Sequence, residues 1–142
     1  SYAWAAYLLG LSLGGFFDGI LLHQILQWHS LLSSLEGEIY RNLRFQILAD
    51  GVFHAIMYFI AATGLVLLWR TRREFSAPHA DRRFLANLLI GFGAWHIADA
   101  LINHWILGLH RIREASENVL LWDLVFFALG IVLVGIGLAL RR

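Results

Sequence analysis

Four stretches of apolar sequence, at about Ala3–Trp28, Arg44–Trp69, Phe84–Leu109 and Val119–Leu140, each run close to the length that crosses a bilayer as helix. In lipid every backbone N–H and C=O must be satisfied by the chain itself. No alternating pattern of the barrel-strand kind is present, so helices are the reading that remains. The fold class expected is all-α, a four-transmembrane-helix bundle in a single membrane domain over residues 1–142. With 59% hydrophobic and 15% charged residues and a mean hydropathy of +0.65, the chain has too little charge to cover a soluble domain. The first stretch is too long, and too polar at its far end, for a cleavable signal peptide.

Charge placement orients the bundle. The connection RTRREFSAPHADRR, residues 70–83, is rich in arginine and holds the only proline, and the chain ends in Arg141-Arg142. By the positive-inside rule both belong to the cytoplasm, and so do both termini. The expected location is a bacterial inner membrane, with SLLSSLEGEIYR and HRIREASEN facing the periplasm. Trp28, Trp69 and Trp122 stand near helix ends, as interfacial anchors do. No basic stripe on a soluble domain is present, which argues against nucleic acid. The lipid bilayer is the partner this composition demands, and a larger membrane complex or a homo-oligomer is compatible with it.

The apolar segments nevertheless carry acids and histidines, in a pattern that recurs. Asp18, His23 and His29 are matched by Asp99, His104 and His110 at the same spacing. Asp50 and Asp123 then stand near the starts of the following segments, whereas His54 has Phe127 as its counterpart. This predicts two parallel helical-hairpin repeats, about 3–70 and 84–142, joined by a cytoplasmic basic loop at 70–83. Transporters with such symmetry place their sites where the repeats meet.

Counting a rise of about 1.5 Å per residue inward from the outer ends puts His23, Asp50, His54, His104 and Asp123 in one outer layer. Asp18, Asp99 and His96 fall deeper, and His29 and His110 at the outer mouth. On a straight α-helix Asp18 and His23 diverge by about 140°, so the expected pairs run across helices: His23 with Asp50, and His104 with Asp123. An ionised carboxylate at mid-membrane costs about 2.5 kcal/mol or more. Four carboxylates without Lys or Arg partners in the spans call for protons, imidazolium partners or a bound cation.

A metal ion accounts for these acids together with so many imidazoles. With no cysteine and only Met57 as a thioether, its ligands are nitrogen and oxygen. Imidazole suits copper, zinc and iron. The expected ligands are His23, Asp50, His54, His104 and Asp123, with Asp18, His96 and Asp99 as supports or a second ion, and His29 and His110 at the mouth. Copper or zinc is favoured, and non-haem iron fits. His54→Ala is accordingly expected to lower metal content more than His79→Ala, since His79 lies in the basic loop. The alternatives are haem b between facing histidines, for electron transfer, and a metal-free accessory or proton-relay subunit. A zinc ion with an open position would activate water, but no separate nucleophile or oxyanion cue accompanies it, so catalysis is undecided.

The segments FFDGILLHQILQWHS, ADGVFHA, INHWILGLHRIRE and LLWDLVFFALG, with their DGxxLHQxLQWH-type block, resemble a family of bacterial four-helix membrane proteins known as a domain of unknown function. The resemblance covers essentially the whole chain and implies the four-helix fold. In that family the second histidine of each block is typically doubled, where this chain has His29-Ser30 and His110-Arg111. It therefore weights His23, Asp50, His54 and His104 above the mouth histidines. It also associates such proteins with respiratory oxidase assembly, which leans toward copper.

Overall fold

The computed structural model describes residues 1–142, and all of its regular structure is helical. Helix α1 (Tyr2–Phe16) runs without a break into a π-helical segment, Phe17–Ile25. A short α2 (Glu38–Arg41) precedes the long α3 (Leu43–Arg70). A 3₁₀ turn at Arg72–Ser76 leads to α4 (Ala80–Asp99), which again continues as a π-helix, Ala100–Ile106. Helix α5 (Val119–Leu140) completes the chain. Asn42 starts α3 by accepting the Arg44 and Phe45 N–H groups on its side-chain oxygen, at 3.0 and 3.2 Å.

Four helices are long and apolar enough to cross a membrane: Tyr2–Ile25, Leu43–Arg70, Ala80–Ile106 and Val119–Leu140. Their ends lie within a few residues of those read from the sequence. Helices α1 and α4 form the centre, with α3 flanking α1 and α5 flanking α4. The central pair is accordingly far better covered, with 50% and 39% of the apolar window buried against 17% for each outer helix.

The interior is inverted relative to a soluble protein. The largest fully buried side chains are His96, His104, His110, Asp18, Asp99, Asp123 and Ser12, while Tyr58, Phe59 and Ile106 stand about three-quarters exposed. That distribution suits a chain whose outer surface is solvated by lipid.

Small residues permit the central crossing. A Cβ on Gly10 would meet the Leu88 carbonyl oxygen at 2.0 Å, and one on Gly91 would meet the Tyr7 carbonyl oxygen at 2.0 Å. Backbone therefore lies against backbone, as in glycine-mediated membrane helix pairs. The flanking helices use the same device: Gly64 faces the Ala5 carbonyl, and Gly137 the Ala86 carbonyl. Each of these contacts has a partner in the other half of the chain.

Candidate metal centre

The two π-helical segments set the site. In an α-helix residues five apart point in different directions, whereas an i→i+5 hydrogen-bond pattern brings them onto one face. Asp18 and His23 are five apart within the first segment, and their Oδ2 and Nε2 atoms lie 3.3 Å from each other. Asp99 and His104 are five apart at the second, with Oδ2 and Nε2 at 2.8 Å. The 140° divergence expected of a straight α-helix is thus removed by the local change of helix type. Asp99 also accepts a hydrogen bond from the Asn103 amide at 2.7 Å.

After each π-segment the chain turns inward. Gln27 and Gly108 both take left-handed backbone conformations, with φ of 55° and 60°. The Trp28 N–H reaches back to the Leu22 carbonyl, and the Leu109 N–H to the Asn103 carbonyl, each at 2.8 Å. These turns fold His29 and His110 into the bundle. Both are buried, and their rings stack on each other with centroids 4.4 Å apart. The structure therefore moves them from the outer mouth, where the sequence places them, to the centre of the polar cluster. His29 Nε2 lies 3.2 Å from Asp18 Oδ1, and His110 Nε2 lies 3.6 Å from Asp99 Oδ2.

What lies behind each imidazole fixes which nitrogen faces inward. His29 Nδ1–H donates to the Ile112 carbonyl, and His110 Nδ1–H to the Leu31 carbonyl, each at 2.9 Å. A carbonyl only accepts, so a proton is on Nδ1 of each ring and Nε2 is the nitrogen that faces the centre. His23 Nδ1 meets Asp50 Oδ1 at 3.1 Å, and His104 Nδ1 meets Asp123 Oδ1 at 3.0 Å, which are the cross-helix pairs expected from the sequence. The two aspartates are held in turn by backbone N–H groups, Leu31 to Asp50 at 2.8 Å and Ile112 to Asp123 at 2.9 Å. Burial pushes the His29 imidazole below its ordinary pKa, against the opposing pull of Asp18.

The inward atoms have no hydrogen-bond partners. Nε2 of His23, His29, His104 and His110, both oxygens of Asp18 and Oδ2 of Asp99 are all buried and unsatisfied. Although only 2.8–3.6 Å separates the nearest Nε2 and carboxylate atoms, these contacts lack hydrogen-bond geometry, and so does the contact of His104 Nδ1 with Asp123. Donors about 2.0–2.2 Å from one transition-metal ion stand roughly 3 to 3.5 Å from each other. Asp18, His23, His29 and His110 bring one ligand atom each within 4.8 Å of one another, and so do Asp99, His104 and His110. His110 belongs to both sets. Carboxylate and carbonyl partners behind the imidazoles are the usual support of histidine ligands.

The remaining sequence-predicted residues stand apart from these two sets. Asp50 and Asp123 lie behind His23 and His104 rather than among the converging atoms. His54 donates Nδ1–H to the carbonyl of its own Asp50, at 2.8 Å, and its ring lies against Phe16 and Phe53. His96 donates to the Phe92 carbonyl at 2.9 Å and is enclosed by Phe17, Phe92 and Phe126.

Charge balance also differs from the sequence reading, which found no basic partner for the buried acids. Arg111, in the connection after the second π-segment, folds back so that its Nε pairs with Asp123 Oδ2. Arg111→Leu is expected to destabilise the fold by on the order of 2–4 kcal/mol, because it leaves Asp123 buried without its cation. The guanidinium is one-third exposed, with 34% of its side chain accessible, which favours the lower half of that range. Adding Asp123→Asn should restore most of the loss. Thermal unfolding in detergent reads both variants, and a single variant as stable as the parent would remove the pair from the structural account.

No curated protein and no solved structure matches the chain. A family model described as "Predicted membrane protein (DUF2243)" matches residues 5–142, spanning all four apolar helices and both π-segments. The chain belongs to that family of predicted membrane proteins.

Proposed function

We propose that this chain is an integral membrane metal-binding protein that holds a transition-metal ion on one of two sets sharing His110, Asp18, His23 and His29 with it on one side and Asp99 and His104 on the other. One observation carries the reading. His23, His29 and His110, each anchored from behind through Nδ1, turn unpartnered Nε2 atoms toward both oxygens of Asp18 and Oδ2 of Asp99, which are buried without partners as well. Without a cation, that arrangement strands acceptors in a medium where each unsatisfied polar group costs kilocalories. An ion held on either of the two sets, which share His110, satisfies the donors of that set and offsets its carboxylate charge.

The donor set of imidazole and carboxylate, without thiolate, favours copper(II) or zinc(II) and accommodates non-haem iron. Metal handling linked to respiratory oxidase assembly is the cellular role that fits a copper site of this kind. Haem b fits less well. The cluster imidazoles pack edge-to-face or stacked, with centroids 4.4–6.1 Å apart, which leaves no slab for a porphyrin between an axial pair.

The arginine-rich 70–83 connection and Arg141-Arg142 support a bacterial inner-membrane location with both termini in the cytoplasm. The site then lies toward the periplasmic side. Contacts that recur between residues 81 apart, such as 18–23 and 99–104 or 7–91 and 88–10, support an origin by duplication of one hairpin.

Elemental mass spectrometry on protein purified in detergent without added metal tests this reading. About one copper or zinc per chain is the expected result. No metal above background in folded protein, before and after incubation with each ion, would overturn it in favour of the proton-relay or accessory role.

A further inference from the structure

The two halves differ most where they approach the cluster. Beside the first π-segment a cleft of about 580 Å³ reaches His23, His29 and Asp50. Its walls carry the neutral hydrogen-bonding side chains of Gln24, Gln27 and Gln46 and, at one edge, the Glu114 carboxylate. Asp50 keeps 10% of its side chain accessible, and its counterpart Asp123 keeps none.

The residue that makes the difference stands immediately after the stacked histidine in each half. After His29 it is Ser30, which lines the cleft. After His110 it is Arg111, whose guanidinium closes over Asp123. A second asymmetry agrees. Position 108 meets its left-handed backbone with glycine, whereas position 27 adopts the same conformation while carrying glutamine, whose side chain lines the cleft. A non-glycine residue in that conformation is strained, and such strain concentrates at functional sites.

We propose that the cleft beside Asp50 is the binding vestibule and exchange route for a hydrated divalent metal cation, and that Arg111 seals the corresponding route in the second half. The inference rests on the metal-binding reading above and adds the path and its direction. Side-chain amides and hydroxyls replace part of the ion's water, and the Asp50 and Glu114 carboxylates supply the attraction. The ion then passes between His23 and His29, which line the cleft, to their buried Nε2 atoms. A guanidinium at the second approach repels a cation and fills the space it would use.

Two variants test the route with zinc as the probe. Ser30→Arg copies the natural plug into the first half, and Ile47→Trp narrows the cleft from an apolar residue that is 63% exposed. Zinc-loaded protein is mixed with excess chelator in detergent, and release is followed by stopped flow, with elemental analysis of the starting material. Ile47→Trp should begin with the parent's zinc content, and both variants, scored per zinc bound, should release it at least tenfold more slowly.

Release at the parent's rate from either folded, fully loaded variant overturns the route while leaving the metal site intact. A parent protein that takes up no zinc, copper or iron overturns the metal site, and the route with it. Should Ser30→Arg fail to fold, the Ile47→Trp rate alone decides.

Discussion

His110→Ala is expected to reduce bound metal below about a tenth of an ion per chain, the largest loss of any single histidine. His110 Nε2 is the one donor shared by both convergent sets. Without it, one side retains Asp18, His23 and His29, and the other only Asp99 and His104. Changes to supporting residues alone cost 10- to 100-fold in metal affinity, so loss of a shared ligand should exceed roughly 100-fold. The same substitution removes the Nδ1–H donor to the Leu31 carbonyl and one face of the His29 stack. Loss of stability by itself would therefore be ambiguous.

Linkage separates the two effects. An ion that binds only the folded state raises the parent's unfolding temperature with concentration. The variant should show no such rise, even where it is folded. His54→Ala and His79→Ala complete the series. The sequence alone ranks His54 as a ligand, whereas the structure sets its ring against Phe16 and Phe53, outside the converging set. His54→Ala is now expected to retain most of the metal, as is His79→Ala. Full metal content in His110→Ala, with loss in His54→Ala, would return the site to the layer containing His54.

The reasons for that difference lie in particular residues. The spans are legible because hydropathy over some twenty residues is a strong signal, and their positions hold to within a few residues. The pairs His23–Asp50 and His104–Asp123 are legible because depth and face can be counted along regular helices. Counting fails at Phe17–Ile25 and Ala100–Ile106, where the helix type changes. A signal was present, since acid and histidine recur five apart in both halves, a spacing that matches a π-helix and not an α-helix.

The sequence places His29 and His110 at the outer mouth, and their buried position is illegible for a different reason. They lie beyond the apolar segments, and only the left-handed turns at Gln27 and Gly108 bring them back inside. Gly108 advertises its turn, but glutamine at position 27 does not. Arg111 was unreadable as the partner of Asp123 because that pairing depends on the path of the same connection. Local periodicity is a good guide within regular helices. It says little where a functional site is built from breaks in them.

Gly91→Ala is expected to disrupt the fold and empty the metal site, although it touches no ligand. The added Cβ would stand 2.0 Å from the Tyr7 carbonyl oxygen and 2.8 Å from the Leu11 nitrogen. Both are backbone atoms, so no rotamer change relieves the clash, and α1 and α4 must separate. Overpacking of a close contact costs about 1–3 kcal/mol and more where the backbone cannot yield. The two helices that separate are those that bear the site: α1 continues into Asp18 and His23, and α4 into Asp99 and His104. Asp99 is eight residues from Gly91, about 12 Å along the helix, so a displacement at the crossing is carried rigidly to the cluster. Gly10→Ala, with its Cβ 2.0 Å from the Leu88 carbonyl, should behave in the same way. Gly51→Ala and Gly135→Ala are the controls. Nothing lies within 4 Å of a Cβ at either position, and alanine should add up to about 1 kcal/mol through helix propensity. Unfolding temperature and metal content, measured on all four variants, should divide them into two pairs. Parent-like values for Gly91→Ala would mean that the central helices do not cross at the contact from which this site is hung.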